Sequence, residues 1–215
     1  MMLFKKLKRS ILNFILAERL SSDCFKYPFS GDMCLEKELK KIISERNIDY
    51  VIETGTYVGN TTKAFRSMAP KVVSIEIKLP LYIISRFFLF GLNNIKLYHG
   101  ESSKVLRRIL PKLSKKTNSM LVYLDAHWYE NPLIGELKAI SESKIKPVIV
   151  IHDFRVPGHP ELGFDTYPKQ GVIYELSYIR DSLDEIYGRG GYSYRFNSKS
   201  EGAKRGCIFI FPVDS

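Results

Sequence analysis

Five short β-prone apolar runs, each separated from the next by a helix-length stretch, constrain this chain more than any other feature. They lie at 49–53, 71–77, 94–99, 119–125 and 147–152. Helical patterning fills the intervals at 60–68, 80–91, 102–113 and 133–143, and continues at 171–187. Such alternation predicts βαβ units and a parallel sheet. The end of the chain breaks the rule. Tyr192 to Phe196 alternates in polarity, and after a polar turn Cys207 to Phe211 is continuously apolar. No helix fits between them, so these two strands are expected to pair antiparallel. Ahead of the first run, Asp32 to Asn47 reads as a helix covering the sheet edge near the site. The expectation is an α/β, Rossmann-like fold: a central, mostly parallel seven-stranded sheet with a C-terminal antiparallel hairpin, helices on both faces, and N-terminal helices in front. A helical extension is placed at 1–45 and the ligand-binding domain at 46–215.

At 215 residues the chain is long enough for one domain with a full core. Its net charge of +10 calls for an anionic partner: nucleic acid, anionic lipid or an acidic small substrate. No Lys/Arg run interleaved with aromatics forms a nucleic-acid motif, which ranks that partner last. Cys24, Cys34 and Cys207 are an odd count at unrelated spacings, the usage of reduced thiols in a cytoplasmic protein. No stretch is long and apolar enough to span a bilayer.

In open parallel sheets, ligands sit beyond the carboxyl ends of the strands, where strand order reverses. The notable polar residues of this chain fall at such ends. The first strand runs into Glu53-Thr54-Gly55-Thr56-Tyr57-Val58-Gly59-Asn60-Thr61. Gly55 and Gly59 permit a tight turn and close approach to a ligand. Asn60 or Thr61 is suited to cap the next helix, whose N-terminus offers N–H groups to a carboxylate or phosphate. The spacing is not the G-x-G-x-x-G of dinucleotide folds. The second strand ends in Glu76, 23 residues after Glu53, a distance that suits a carboxylate accepting from two ribose hydroxyls. Glu101 and Ser102 follow the third strand, placed for an adenine edge, with Ser102 also a candidate helix cap. The fourth strand ends in Asp125-Ala126-His127-Trp128 and the fifth in His152-Asp153. Carboxylates at the ends of neighbouring buried strands are costly without a cation or a hydrogen-bonding ligand.

Glu-x-Gly-x-x-x-Gly resembles motif I of class I S-adenosylmethionine-dependent methyltransferases. Asp125-Ala126-His127-Trp128 with Glu136-Leu137, then Ile151-His152-Asp153-Phe154 and Arg155-Val156-Pro157-Gly158, resembles the bacterial O-methyltransferases of the macrocin O-methyltransferase-like and cephalosporin-hydroxylase-like branches. The likeness covers roughly residues 45–212. It implies the class I methyltransferase fold, S-adenosylmethionine as cofactor, and O-methylation of a small molecule such as a sugar or secondary metabolite. Cofactor contacts would fall on Glu53, Thr54, Gly55, Thr56, Gly59, Asn60, Thr61, Glu76, Glu101, Ser102 and Asp125. In those branches a divalent metal is held by an Asp ending strand four and an acidic pair ending strand five, which carries over to Asp125, His152 and Asp153. His152 departs from the acidic pair, and two readings stay open. A metal bound here would be zinc, iron or manganese rather than magnesium. Without one, a histidine serves as general base, His127 first and His152 second, with Asp125 beside them. The rival functions are a non-catalytic cofactor-binding protein on the same fold and, third, a nucleic-acid methyltransferase, whose Asn/Asp-Pro-Pro-aromatic signature is absent.

Three further segments carry expectations. Gly158 to Lys169 reads as a substrate-binding loop that closes over the site. Lys78, Arg155, Lys169, Lys204 and Arg205 are placed to form a cationic rim for an anionic acceptor. Residues 2–20 read as a basic amphipathic helix, with Leu3, Phe4, Leu7, Ile11, Phe14 and Ile15 on one face and Lys5, Lys6, Lys8 and Arg9 crowding its first half. It is expected to pack on the domain or on a second subunit of a homodimer. The alternative is an anionic membrane surface, making a cytoplasmic protein peripheral to the membrane.

Overall fold

The computed structural model describes residues 27–117, 119–126 and 131–213. The helix expected at 2–20 and the residues His127, Trp128 and Tyr129 lie outside them. Along the described chain come α1 (Met33–Glu45), β1 (Tyr50–Thr54), α2 (Asn60–Arg66), β2 (Lys71–Glu76), α3 (Leu79–Phe88), β3 (Ile95–His99), α4 (Ser102–Leu113), β4 (Met120–Leu124), α5 (Leu133–Glu142) and β5 (Val148–His152). A small hairpin, β6 (Thr166–Tyr167) and β7 (Val172–Ile173), precedes α6 (Leu176–Tyr187), β8 (Tyr192–Phe196) and β9 (Cys207–Pro212).

Seven strands form one sheet in the order β3-β2-β1-β4-β5-β9-β8. The first five are parallel and β9 runs antiparallel to β8, both as expected, and β9 also pairs antiparallel with β5. Strands β1, β4 and β5 are buried at every residue, which explains their unbroken apolar sequence: helices cover both faces. Alternate residues serve opposite sides. Ile52, Val122 and Ile149 pack with Leu106 and Leu110 of α4, Leu137 of α5 and Leu183 of α6. Val51, Leu121 and Val150 pack with Leu35, Leu39 and Ile43 of α1 and Phe65 of α2. Each such Leu contributes about 1.5–3 kcal/mol by leaving water.

Helix α1 therefore covers a face of the central strands rather than the sheet edge, because its apolar stripe is four residues wide and needs a broad partner. Asp32 caps it, its carboxylate accepting from the Leu35 N–H at 3.0 Å. Before it, the turn Pro28–Gly31 is pinned by Phe29, which meets Phe65 and Tyr123 edge-on at 5.1 and 6.0 Å. The helix expected from 171 starts five residues later. Val172-Ile173 pairs with Thr166-Tyr167 instead, after a turn closed by Gly171 at φ 65°. From β1 the chain winds outward through β2 to β3, then returns to β4 on the other side of β1. Strand order reverses between β1 and β4, at the point where open α/β sheets bind ligands.

Candidate functional site

A cavity of about 870 Å³ opens over the carboxyl ends of the central strands, within the size range of small-molecule sites. Thr56, Glu76, Glu101, Asp125, His152 and Asp153 are on its wall. Two groups of side chains, one from β1–β3 and one from β4–β5, meet across it.

On the β1–β3 side, Gly55 has φ 84°, and a Cβ there would lie 2.4 Å from the Asp125 carbonyl oxygen. Only glycine allows the loop after β1 to touch the loop after β4. Gly59, at φ 94°, is the N-cap of α2. Asn60 and Thr61, the expected caps, are the first two helical residues. Thr61 Oγ1 accepts from the Phe29 N–H at 3.0 Å and so fastens the Pro28–Gly31 turn. With Gly55, Asn60 and Thr61 line the cavity, whereas Glu53, Thr54 and Gly59 sit behind its wall.

Glu53 is turned into the core, where its Oε2 accepts from the hydroxyls of Thr62 and Ser74. Its Oε1 has no hydrogen-bond partner among the described residues. Burial pushes its pKa up to about 8, helped by the charges of Asp125 and Glu76 and opposed by the two hydroxyls. Ser74 Oγ also lies 2.6 Å from Thr56 Oγ1, so this network props the glycine loop from beneath. Thr54 Oγ1 accepts from the Asp125 N–H at 3.3 Å and ties the two loops together.

Glu76 ends β2 and faces the cavity with both oxygens fixed: Oε2 accepts from the Tyr57 N–H and Oε1 from the Lys78 N–H, each at 2.8 Å. Burial raises its pKa while those N–H groups work against the rise. Glu101 is the N-cap of α4 without a side-chain cap bond. Its carboxylate instead accepts from Ser103 Oγ at 2.6 Å and pairs with Lys104 at 2.6 Å. Ser102 opens α4 and is buried against the cavity; it is not the cap.

The β4–β5 side is charged. His152 is 3% exposed, with Nδ1 at 3.1 Å from Asp125 Oδ1 and 3.4 Å from Asp153 Oδ2. Burial disfavours the imidazolium, but Asp153 and Asp125 outweigh it and hold the pKa well above the ordinary 6.5. Asp153 has the left-handed φ of 56°, uncommon for a residue with a side chain and the kind of backbone strain that collects at functional sites. Its Oδ1 accepts from Arg205 Nε, and Arg205 Nη2 donates to Asp165. Asp125, His152 and Asp153 each present a ligand atom, all within 4.8 Å of one another, so the set can converge on one cation. The same Nδ1 faces both carboxylates, and it carries either a proton or a metal ion.

Arg205 and Asp165 join the site beyond the strand-end residues that the sequence points to. Arg205 was expected only as part of a cationic rim. Of that rim, Lys78 and Arg205 line the cavity, Lys169 and Lys204 do not, and Arg155 is paired with Glu175 at 2.8 Å. The loop expected to close over the site is stitched down. The Asp165 N–H donates to the Asp153 carbonyl at 2.8 Å, and Gly163 exchanges backbone bonds with Lys204 and Gly206. Asp165 thereby joins the cavity wall.

No protein-family model and no curated protein sequence matches the chain. Solved structures do. An O-methyltransferase from Bacillus cereus in complex with SAH aligns at TM-score 0.62 and 18% identity, over 95% of this chain and 90% of its own. Cofactor-bound Rv0187 from MTB aligns at 0.59 and 20%, over 94% and 89%. TomG from Streptomyces achromogenes, an O-methyltransferase of tomaymycin synthesis in complex with SAM, aligns at 0.57 and 18%, over 84% and 80%. The fold is the class I methyltransferase fold.

Proposed function

We propose that the chain is an S-adenosylmethionine-dependent methyltransferase acting on a hydroxyl of a small molecule. One observation carries the reading: a carboxylate oriented by two backbone N–H groups, Glu76, shares a cavity at the strand-order reversal with the Asp125–His152–Asp153 cluster. The solved structures of this fold that hold SAM or SAH support it.

The residues fit the cofactor. Glu76 lines the cavity with its carboxylate fixed by backbone N–H groups, as recognition of a ribose diol requires. Gly55, Thr56, Asn60 and Thr61 give a wall without bulk where a methionine moiety would lie, and Glu101 and Ser102 bound the adenine end. Glu53, Thr54 and Gly59 act from behind, by holding the loop in shape. The bound cofactor supplies an electrophilic methyl group. The chain has to bring a hydroxyl into line with it and remove the proton, and orientation alone is worth several kcal/mol.

Asp125 reaches the cavity and is the natural acceptor for that hydroxyl, with His152 and Arg205 holding Asp125 and Asp153 in place. His127, two residues beyond Asp125, is the general base nominated by the sequence. Asp125, His152 and Asp153 also fit a divalent ion of the zinc, iron or manganese type, which would lower the pKa of a bound hydroxyl. The wall bears Glu76, Glu101, Asp125, Asp153 and Asp165 against Lys78, His152 and Arg205, a balance better suited to an uncharged polyol or phenol than to an anion.

The test is methyl transfer from labelled S-adenosylmethionine to a panel of sugars, catechols and their phosphorylated counterparts. Label on an oxygen of an uncharged acceptor is the expected result. Tight cofactor binding with no transfer to any acceptor would support the non-catalytic alternative instead.

A further inference from the structure

Helix α3 and the turn after it present an apolar face to solvent. Leu79 and Ile83, one helical turn apart, are 51% and 42% exposed, Phe88 is 63% exposed and Phe90 88%. The helix satisfies the core with its other side, through Leu81, Ile84 and Ser85. Residues 77–100 contain no Asp or Glu, and their charged residues are Lys78, Arg86 and Lys96. Exposed phenylalanines on a helix and its following turn, in a segment whose own charges are cations and which Glu76 and Glu101 flank in sequence, are the composition of an interfacial membrane contact.

We propose that this face docks on an anionic lipid bilayer. Charge decides among the occupants. A second copy of a chain of net charge +10 would set this patch, whose charges are Lys78 and Arg86, against the same patch in a symmetric contact, with no carboxylate of the segment to pair them. The chain's own residues 1–26 carry six Lys and Arg against Glu18 and Asp23, a net excess of like charge. An anionic bilayer offers the opposite sign together with an apolar layer for the phenylalanines. Placement agrees. Ile77, Lys78 and Leu81 line the cavity, and so does Tyr27, the residue at which the basic N-terminal stretch joins the described fold. Docking would set the lipid surface beside one rim of the cavity, at Ile77 and Lys78. The inference stands on this exposed face and does not depend on the chemistry inside the cavity.

The experiment is co-sedimentation of the full chain with phosphatidylglycerol-containing vesicles and with pure phosphatidylcholine vesicles. The chain should pellet with the first, release as salt is raised, and stay soluble with the second. The Phe88→Ser/Phe90→Ser double variant should bind roughly tenfold more weakly or worse, since two buried aromatics are lost at the interface. Both positions are exposed, so its thermal midpoint should match wild type. In a second measurement, a Phe90→Trp variant should be quenched by brominated phosphatidylglycerol. Wild type left in the supernatant with anionic vesicles, unchanged binding of the double variant, absence of quenching, or a wild-type dimer that the double variant converts to monomer would each overturn the proposal.

Discussion

The two sides of the cavity hold their carboxylates by opposite means. Glu53 and Glu76 are met by hydroxyls and backbone N–H groups, and burial drives both toward the neutral form. Across Gly55, Asp125, Asp153 and Asp165 are met by the His152 imidazole and the Arg205 guanidinium in a partly buried cluster. Neutral donors of fixed direction suit recognition of a polar, uncharged group such as a ribose. Paired charges suit a step in which charge develops, because a preorganised cluster stabilises it without rearranging. Under the proposed function one side would bind and the other react, and they meet at Gly55 and at the Thr54–Asp125 hydrogen bond.

The largest effect should come from the charged side. Asp125→Asn should lower methyl transfer by about 10²-fold or more while S-adenosylhomocysteine affinity changes by less than about tenfold. An equal loss in both would erase the division. Prolonged chelation sharpens it: activity abolished and restored best by one transition metal assigns Asp125, His152 and Asp153 to an ion, and activity untouched leaves His127 as base. Next, Arg205→Ala strips Asp153 and Asp165 of their shared cation. Urea unfolding should show a loss of roughly 3 kcal/mol, the lower end for breaking a buried pair. A loss below about 0.5 kcal/mol would mean that water satisfies those carboxylates.

Gly55→Ala tests the hinge between the sides. Its Cβ would enter the space of the Asp125 carbonyl at 2.4 Å in a backbone region that L residues avoid. Stability should fall by about 1–3 kcal/mol, and cofactor affinity and turnover should fall together. The last effect belongs to Glu53 and shows only as pH is raised. Between its ordinary 4.5 and about 8 the native state keeps a proton that the unfolded chain has released. Stability from this group is therefore full below the lower value and lost as pH rises through the window. Glu53→Gln should flatten that decline in urea midpoints. An unchanged slope would place the titration elsewhere.

Much of this site could be read from the chain because strand ends converge in a parallel α/β sheet whatever the loops do. Glu76, Asp125, His152 and Asp153 needed only the strand assignments. Arg205 needed a register: β9 pairs His152 with Cys207, so a cation two residues before that strand must return to the carboxyl end of β5. The polar turn hid this, although an antiparallel last strand next to the fifth implied it. Asp165 depends on backbone stitching between two irregular segments, for which no periodicity exists. Glu53 was legible as a strand-end acid but not as a core one. The hint was Ser74, a hydroxyl inside the apolar run of β2 that pairs opposite Glu53.

The division of labour rests on the claim that Glu76 and the glycine loop bind an adenosyl cofactor. Titration calorimetry with S-adenosylhomocysteine tests it most directly. Wild type should bind in the micromolar range, and Glu76→Ala should weaken binding by about 1–3 kcal/mol, the value of hydrogen bonds to a charged acceptor. No heat and no thermal shift with wild type, or full affinity in Glu76→Ala, would contradict the account.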